Sequence, residues 1–236
     1  LFLICCYNIL IIFLELIFLR MRKRAHLSER IDGCGDYIIE TADELYGFSG
    51  DKSLCIEIGC GKGRFITETA RLNPDSAHLA VEQCENVAIL AAESAKKAGI
   101  ENLRFSMKNV ALLDDIIKEG SVKRIYLNFS DPWPKKKRAK RRLTHPDFLK
   151  LYKKWLTPDG EIFFKTDNAP LFEFSLNSFA GEDFLLSNIT FDLHSSDFEG
   201  NVMTEYEERF VTEGKPIYRL EARKRGEAMP IVFYIS

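Results

Sequence analysis

Asp131 and the residues that follow it hold the densest chemistry in the chain. The segment Asn128-Phe129-Ser130-Asp131-Pro132-Trp133-Pro134 breaks a β-rich run, Val122 to Phe129, and two prolines stiffen the turn around an aromatic plane. Seven of the next eight residues, Lys135 to Arg142, are basic, while the whole chain carries a formal net charge of only -2. The positive field is therefore local. A carboxylate beside such a ladder fits a polyanion held by its phosphates while one of its bases is presented to Asp131. The competing expectation is a solvated basic loop, which most charge runs are.

A second constellation is Glu57-Ile58-Gly59-Cys60-Gly61-Lys62-Gly63, set between a buried-strand pattern, residues 54–58, and a helical stretch, residues 64–72. Glycines let a ligand approach the backbone, and the free amides of the helix start face it. The G-x-G-x-G spacing departs from the G-x-G-x-x-G of dinucleotide dehydrogenases and resembles that of S-adenosylmethionine enzymes. Glu82 ends a second strand, residues 78–82, where an acid can accept both ribose hydroxyls of an adenosyl ligand. Asn109 follows a third strand, residues 103–107, and offers an amide to an adenine ring. Ligands of open α/β sheets bind beyond the carboxyl ends of the strands. Glu57 with the glycine turn, Glu82, Asn109 and Asp131 are therefore expected on one rim, joined by Asp167 after a fifth strand, residues 161–166.

Helices are needed between these strands. Apolar spacing places one at 31–45, one at 86–97 stopped by Gly99, a short one at 112–117, one at 146–155 and a phenylalanine-rich one at 170–179. Residues 157–160, Thr-Pro-Asp-Gly, read as a turn, and residues 184–193 and 216–222 as the last strands.

A chain of 236 residues, 46% hydrophobic and 29% charged, supports one α/β domain. Its near-neutral charge argues against a general nucleic-acid coat protein and for a discrete binding face. Six cysteines form no C-x-x-C pair and read as reduced structural thiols, and the four histidines are scattered, so no metal centre is expected. Residues 1–20 are almost wholly apolar and precede Met21, which opens a charged, plausible soluble start. The expectation is translation from Met21, one domain over 21–225, an unassigned tail over 226–236, and a cytoplasmic protein. If residues 1–20 are translated, they become a candidate membrane anchor.

With these residues in view, the chain resembles the bacterial tRNA (guanine-N7-)-methyltransferase family from about Met21 to Arg223. The resemblance rests on Glu57 to Gly63, Tyr126 to Lys135, Phe164-Lys-Thr-Asp-Asn168, Thr204-Glu-Tyr-Glu207 and Pro216-Ile-Tyr218. It implies a Rossmann-like class I methyltransferase fold, α/β, with a mostly parallel doubly wound sheet and an antiparallel C-terminal strand. It implies S-adenosylmethionine as methyl donor, held by Glu57, Gly59, Gly61, Gly63, Glu82, Asn109 and Asp131. Many relatives have aspartate where this chain has Asn109. Lys135, Asp167, Thr204, Glu205, Tyr206 and Glu207 are implied to hold tRNA, Asp131 to be catalytic, and the variable-loop guanine G46 to be the acceptor. Two alternatives remain: a methyltransferase acting on another nucleobase, since Ser-Asp-Pro-Trp echoes Asn/Asp-Pro-Pro-Tyr, and a membrane-tethered RNA-binding protein. A dehydrogenase stands third.

Overall fold

The computed structural model describes residues 26–225. The expectations for residues 1–20, for a start at Met21 and for the tail 226–236 lie outside these. No helix among the described residues is long and apolar enough to cross a membrane.

Seven strands form one sheet in the order β3-β2-β1-β4-β5-β7-β6. They are β1 (Ser53–Ile58), β2 (Ser76–Val81), β3 (Leu103–Ser106), β4 (Val122–Asn128), β5 (Leu156–Thr166), β6 (Phe184–Thr190) and β7 (Tyr218–Lys224). The first five pair in parallel, and β7 runs antiparallel to both β5 and β6. Helices α1 (Leu27–Gly33), α2 (Ala42–Ser49), α3 (Arg64–Leu72), α4 (Glu85–Lys97), α5 (Pro146–Trp155), α6 (Ala169–Gly181) and α7 (Glu205–Thr212) complete the fold. The chain order turns outward in both directions from the β1/β4 pair. That is the switch point where a crevice forms at the strand ends.

Strand alternation sorts side chains onto two faces. Leu54, Ile56 and Ile58 of β1 join Ile125, Leu127, Ile162, Phe164 and Leu220 against Leu149, Trp155, Leu171 and Phe179 of α5 and α6. Cys55, Ala80 and Tyr126 turn the other way, onto Phe65, Ile66 and Ile89 of α3 and α4. Fully burying side chains of this size contributes about 1.5–3 kcal/mol each. Glu57, Asn128 and Lys165 share the parity of Cys55, Tyr126 and Phe163. The α3 face thus becomes polar at the strand tips, just where the glycine turn begins.

Three elements differ from the sequence reading. The expected helix over 31–45 is two helices, because the intervening chain is drawn into the sheet: Ile38 bridges Phe105, and the Ile39 amide donates to the Phe105 carbonyl. A Thr41–Glu44 capping box then starts α2. The turn expected at 157–160 is a bulge inside one strand, with Leu156 opposite Val122 and Glu161 opposite Arg124. Gly160 is required there, since a Cβ would meet the Val122 carbonyl at 2.9 Å. The stretch 112–117 forms a 3-10 helix over Val110–Asp115.

Candidate active site

The glycine turn leaves β1 with Gly59, Gly61 and Gly63 all at positive φ. Gly63 also has no room for a side chain, because a Cβ would stand 2.8 Å from the Ala91 Cβ of α4. This close approach sets α3 against α4, while the Gly59 and Cys60 amides of the turn donate to the Val81 carbonyl at 2.8 and 3.0 Å. Glu82, just past β2, accepts from the Gly61 amide at 3.2 Å and from the Cys84 amide at 2.9 Å. Asn109 is exposed; its side chain accepts from the Ala111 amide and donates to Gln83 at 3.1 Å. The turn, the β2 tip and the β3 tip are thus neighbours, as a nucleoside site requires.

Beneath the turn lies Glu57, 2% exposed. Its Oε1 accepts from Asn128 Nδ2 at 2.8 Å, and its Oε2, like Asn128 Oδ1, has no hydrogen-bond partner. Burial pushes the Glu57 carboxyl up to about 7, against the Asn128 hydrogen bond and the charge of Lys165. An orphaned buried acceptor is costly, and a ligand bringing a hydrogen-bond donor would satisfy it.

Asp131 sits on the loop leaving β4, exposed and without a pairing partner among the described residues. Phe129 (φ 49) and Trp133 (φ 42) flank it in the left-handed region, each at a cost of about 1 kcal/mol or more. Strain on both sides of one exposed carboxylate marks a loop shaped for a task. The ladder follows as a 3-10 helix, Lys136–Arg141. Arg138 and Arg141 lie over the Trp133 ring at 5.6 and 4.9 Å. Arg142 turns inward instead: it donates to the Pro132 and Trp133 carbonyls at 2.9 and 3.2 Å and covers Phe174. The ladder therefore splits into outward cations, Lys135 among them, and one brace. None of its seven charges meets a carboxylate among the described residues, although most other cations do. An unneutralised field of this kind suits a polyanion.

Asp167 follows β5, half-buried and unpaired among the described residues. The Thr-Glu-Tyr-Glu segment behaves differently along its length. Thr204 caps α7 in a capping box with Glu207. Glu205 pairs with Lys62 of the glycine turn at 3.1 Å, and Tyr206 is 54% exposed. Glu207 is fully buried, accepting from Lys165 Nζ at 2.7 Å, Asn201 Nδ2 at 2.5 Å and the Thr204 amide at 3.4 Å, with His194 Nε2 at 3.0 Å. Its lone pairs are committed inside the protein, whereas Glu205 and Tyr206 face outward.

Sequence reading missed Lys165, His194 and Asn201. Lys165 also donates to Asn201 Oδ1 and the Val202 carbonyl, and burial lowers its ammonium pKa against the charge of Glu207. Its signal was present: a lysine on a strand whose neighbours Phe163 and Phe164 are apolar needs an internal partner. Two hollows, of about 600 Å3 beside Lys62, Arg71 and Asn201 and about 840 Å3 beside Tyr37, Phe48 and Arg104, are not lined by Asp131, Glu82 or Asn109. Among the described residues no group of three or more His, Cys, Asp or Glu could hold a metal ion. Cys34, Cys55 and Cys60 are buried free thiols.

Comparison with known proteins gives a consistent assignment. A family described as "Putative methyltransferase" matches residues 51–220. A tRNA (guanine-N(7)-)-methyltransferase of Listeria monocytogenes serotype 4b (strain F2365) is 43% identical over 210 residues, covering 87% of this chain and 98% of that protein. One of Geobacillus sp. (strain WCH70) is 45% identical, covering 87% and 96%. Among solved structures, the antibiotic-resistance methyltransferase Kmr matches at a TM-score of 0.56 and 16% identity, over 81% of this chain and 96% of that one, a likeness of fold.

Proposed function

The chain belongs to the tRNA (guanine-N7-)-methyltransferase family, and from that premise we propose that it methylates N7 of the variable-loop guanine G46 of tRNA with S-adenosylmethionine as donor. The observation that carries the acceptor side is the exposed Asp131 between two strained residues, unpaired among the described residues and beside cations that no described carboxylate neutralises. On the donor side, the space above Gly61, which has nothing within 4 Å of a Cβ, and the orphaned Glu57 oxygen fit a ligand with an ammonium group. S-adenosylmethionine supplies a methyl group made electrophilic by its sulfonium.

Guanine N7 offers a lone pair and carries no proton, so no residue has to act as a strong base. Orientation does most of the catalysis. Asp131 and Asp167, unpaired among the described residues at the ends of β4 and β5, accept from the base's N1-H and amino group. They hold the ring in line and favour the positive charge that develops on it. Glu82 takes the donor's ribose hydroxyls and exchanges its present backbone partners for them. Asn109 contacts the adenine through an amide where many relatives use aspartate. Glu205 and Tyr206 face the RNA, as do Lys135 and the outward part of the ladder, whose phosphate contacts position without specifying sequence. The guanine must leave its stack to reach this rim.

Incubation with labelled S-adenosylmethionine and unmodified tRNA, followed by nucleoside analysis, tests the reading. The expected product is 7-methylguanosine, abolished when G46 is replaced by adenine. Label in another nucleoside, or undiminished in the substituted tRNA, would overturn it.

A further inference from the structure

Helix α7 is held in an unusual way. It is eight residues long, too short to persist by helix propensity alone, and surface helices of that length normally persist by burying an apolar stripe. Its only buried side chain is Glu207. The helix is therefore seated by a polar latch. Lys165 is the centre of that latch: its ammonium reaches Glu207, and it reaches Asn201 and Val202, which lead into the helix. Lys165 is 5% exposed and stands opposite Asn128 in the β4/β5 register, two residues before Asp167.

The same helix touches the other parts of the cleft through weaker ties. Glu205 and Glu208 pair with Lys62 and Arg64 at the glycine turn. Phe210 packs on the strained Phe129, two residues before Asp131, with ring centroids 5.9 Å apart. The Lys62 and Arg64 pairs are solvent-exposed, and exposed pairs are weak. Of these ties the latch is the buried one and fixes the helix's rotation most firmly, and that rotation decides where Glu205 and Tyr206 point.

We infer that Lys165 is a positioning residue of the reaction: acting through Glu207, it sets the orientation of α7 and so presents Glu205 and Tyr206 to the RNA. This rests on the tRNA reading above and adds to it a residue that never touches the substrate. Glu207 acts from inside, as the receiver of the latch.

The test compares Lys165→Met, Asn201→Ala and the double variant Lys165→Met with Glu207→Met, each measured for melting temperature, tRNA affinity and steady-state constants well below its melting point. Positioning predicts that Lys165→Met raises the KM for tRNA at least tenfold, with a smaller fall in kcat. Asn201→Ala, a milder loosening, raises it about threefold. Replacing a buried ion pair by apolar residues can restore stability, so the double variant is expected to regain melting temperature while its tRNA KM stays high. A folded Lys165→Met with tRNA KM within twofold of wild type would overturn the inference. So would a double variant that regains tRNA affinity along with stability, because the pair would then serve the fold alone. If Lys165→Met does not fold, Asn201→Ala decides, and an unchanged tRNA KM there sinks the idea. Failure of the underlying reading looks different: the wild-type protein itself would make no 7-methylguanosine.

Discussion

Asn128 donates to Glu57 at 2.8 Å while standing opposite Lys165 in the β4/β5 register, so a single neutral amide separates a buried carboxyl from a buried ammonium. The two charges are not paired with each other. Lys165 is turned toward Glu207, and Glu57 keeps one oxygen bare. The polar row at the strand tips thereby divides into a finished half, which seats α7, and an unfinished half beneath the glycine turn.

The unfinished half has a pH signature. The Glu57 carboxyl is raised from 4.5 to about 7 by burial, so the folded state holds a proton that the unfolded chain releases between those values. Stability from this group is present below about 4.5 and lost as pH rises through 7, by about 3 kcal/mol in all. Glu57→Gln should therefore raise the melting temperature at pH 8 more than at pH 5. The same variant should weaken donor binding at pH 8, as titration calorimetry would show. Equal shifts in melting temperature at both pH values would contradict the assignment.

His78 predicts the opposite slope. Burial of this 1% exposed side chain pushes it from 6.5 down to about 4. The folded state excludes a proton that the unfolded state takes up, so stability is complete above about 6.5 and falls as pH drops toward 4, by about 3 kcal/mol. Urea denaturation at pH 7 and pH 4.5 should show that fall, and His78→Leu should reduce it. A pH-independent difference between variant and wild type would show that His78 does not drive the fall.

The glycines of the turn are not equivalent. Gly61→Ala meets nothing within 4 Å and carries only the strain of φ +56, about 1 kcal/mol. Gly63→Ala adds a contact at 2.8 Å with Ala91, so α3 and α4 must part, at a further 1–3 kcal/mol or so, about the usual cost of overpacking. Urea midpoints should rank wild type above Gly61→Ala above Gly63→Ala. The reverse ranking would mean that the turn is not packed on α4.

Charge in the ladder should divide by role. Alanine at Lys135, Lys136, Lys137 or Lys140 should weaken tRNA binding and lower the slope of log affinity against log salt by up to about one for each phosphate no longer neutralised. Arg142→Ala should leave that slope unchanged and lower turnover, because Arg142 braces the Pro132 and Trp133 carbonyls. A salt slope that Arg142→Ala lowers as much as the lysine variants do would place it among the RNA-binding cations.

Much of this architecture was legible in the chain. The strand and glycine pattern around Glu57 and the helix over Arg64–Leu72 follow local periodicity, and the structure has them as read. The helix expected over 31–45 failed because Ile38 bonds to Phe105, a partner that no local pattern announces. Its break was nevertheless marked by Thr41 and Glu44 at capping-box spacing. Thr204 and Glu207 carry the same spacing and form the capping box of α7, a role that the family resemblance, which implies RNA contact for both, does not include. The Lys165 latch stayed hidden because its members come from β5, α7, the loop before α7 and a 3-10 turn, which only the fold brings together.

The proposed mechanism stands on a division of labour in which Asp131 orients the guanine and takes no part in holding the tRNA. Single-turnover methylation and tRNA binding measured side by side on Asp131→Ala test it most directly. The expected result is a methylation rate reduced at least about a hundredfold with a tRNA dissociation constant within about threefold of wild type. A methylation rate near wild type, or a fall in activity fully explained by weaker tRNA binding, would contradict it.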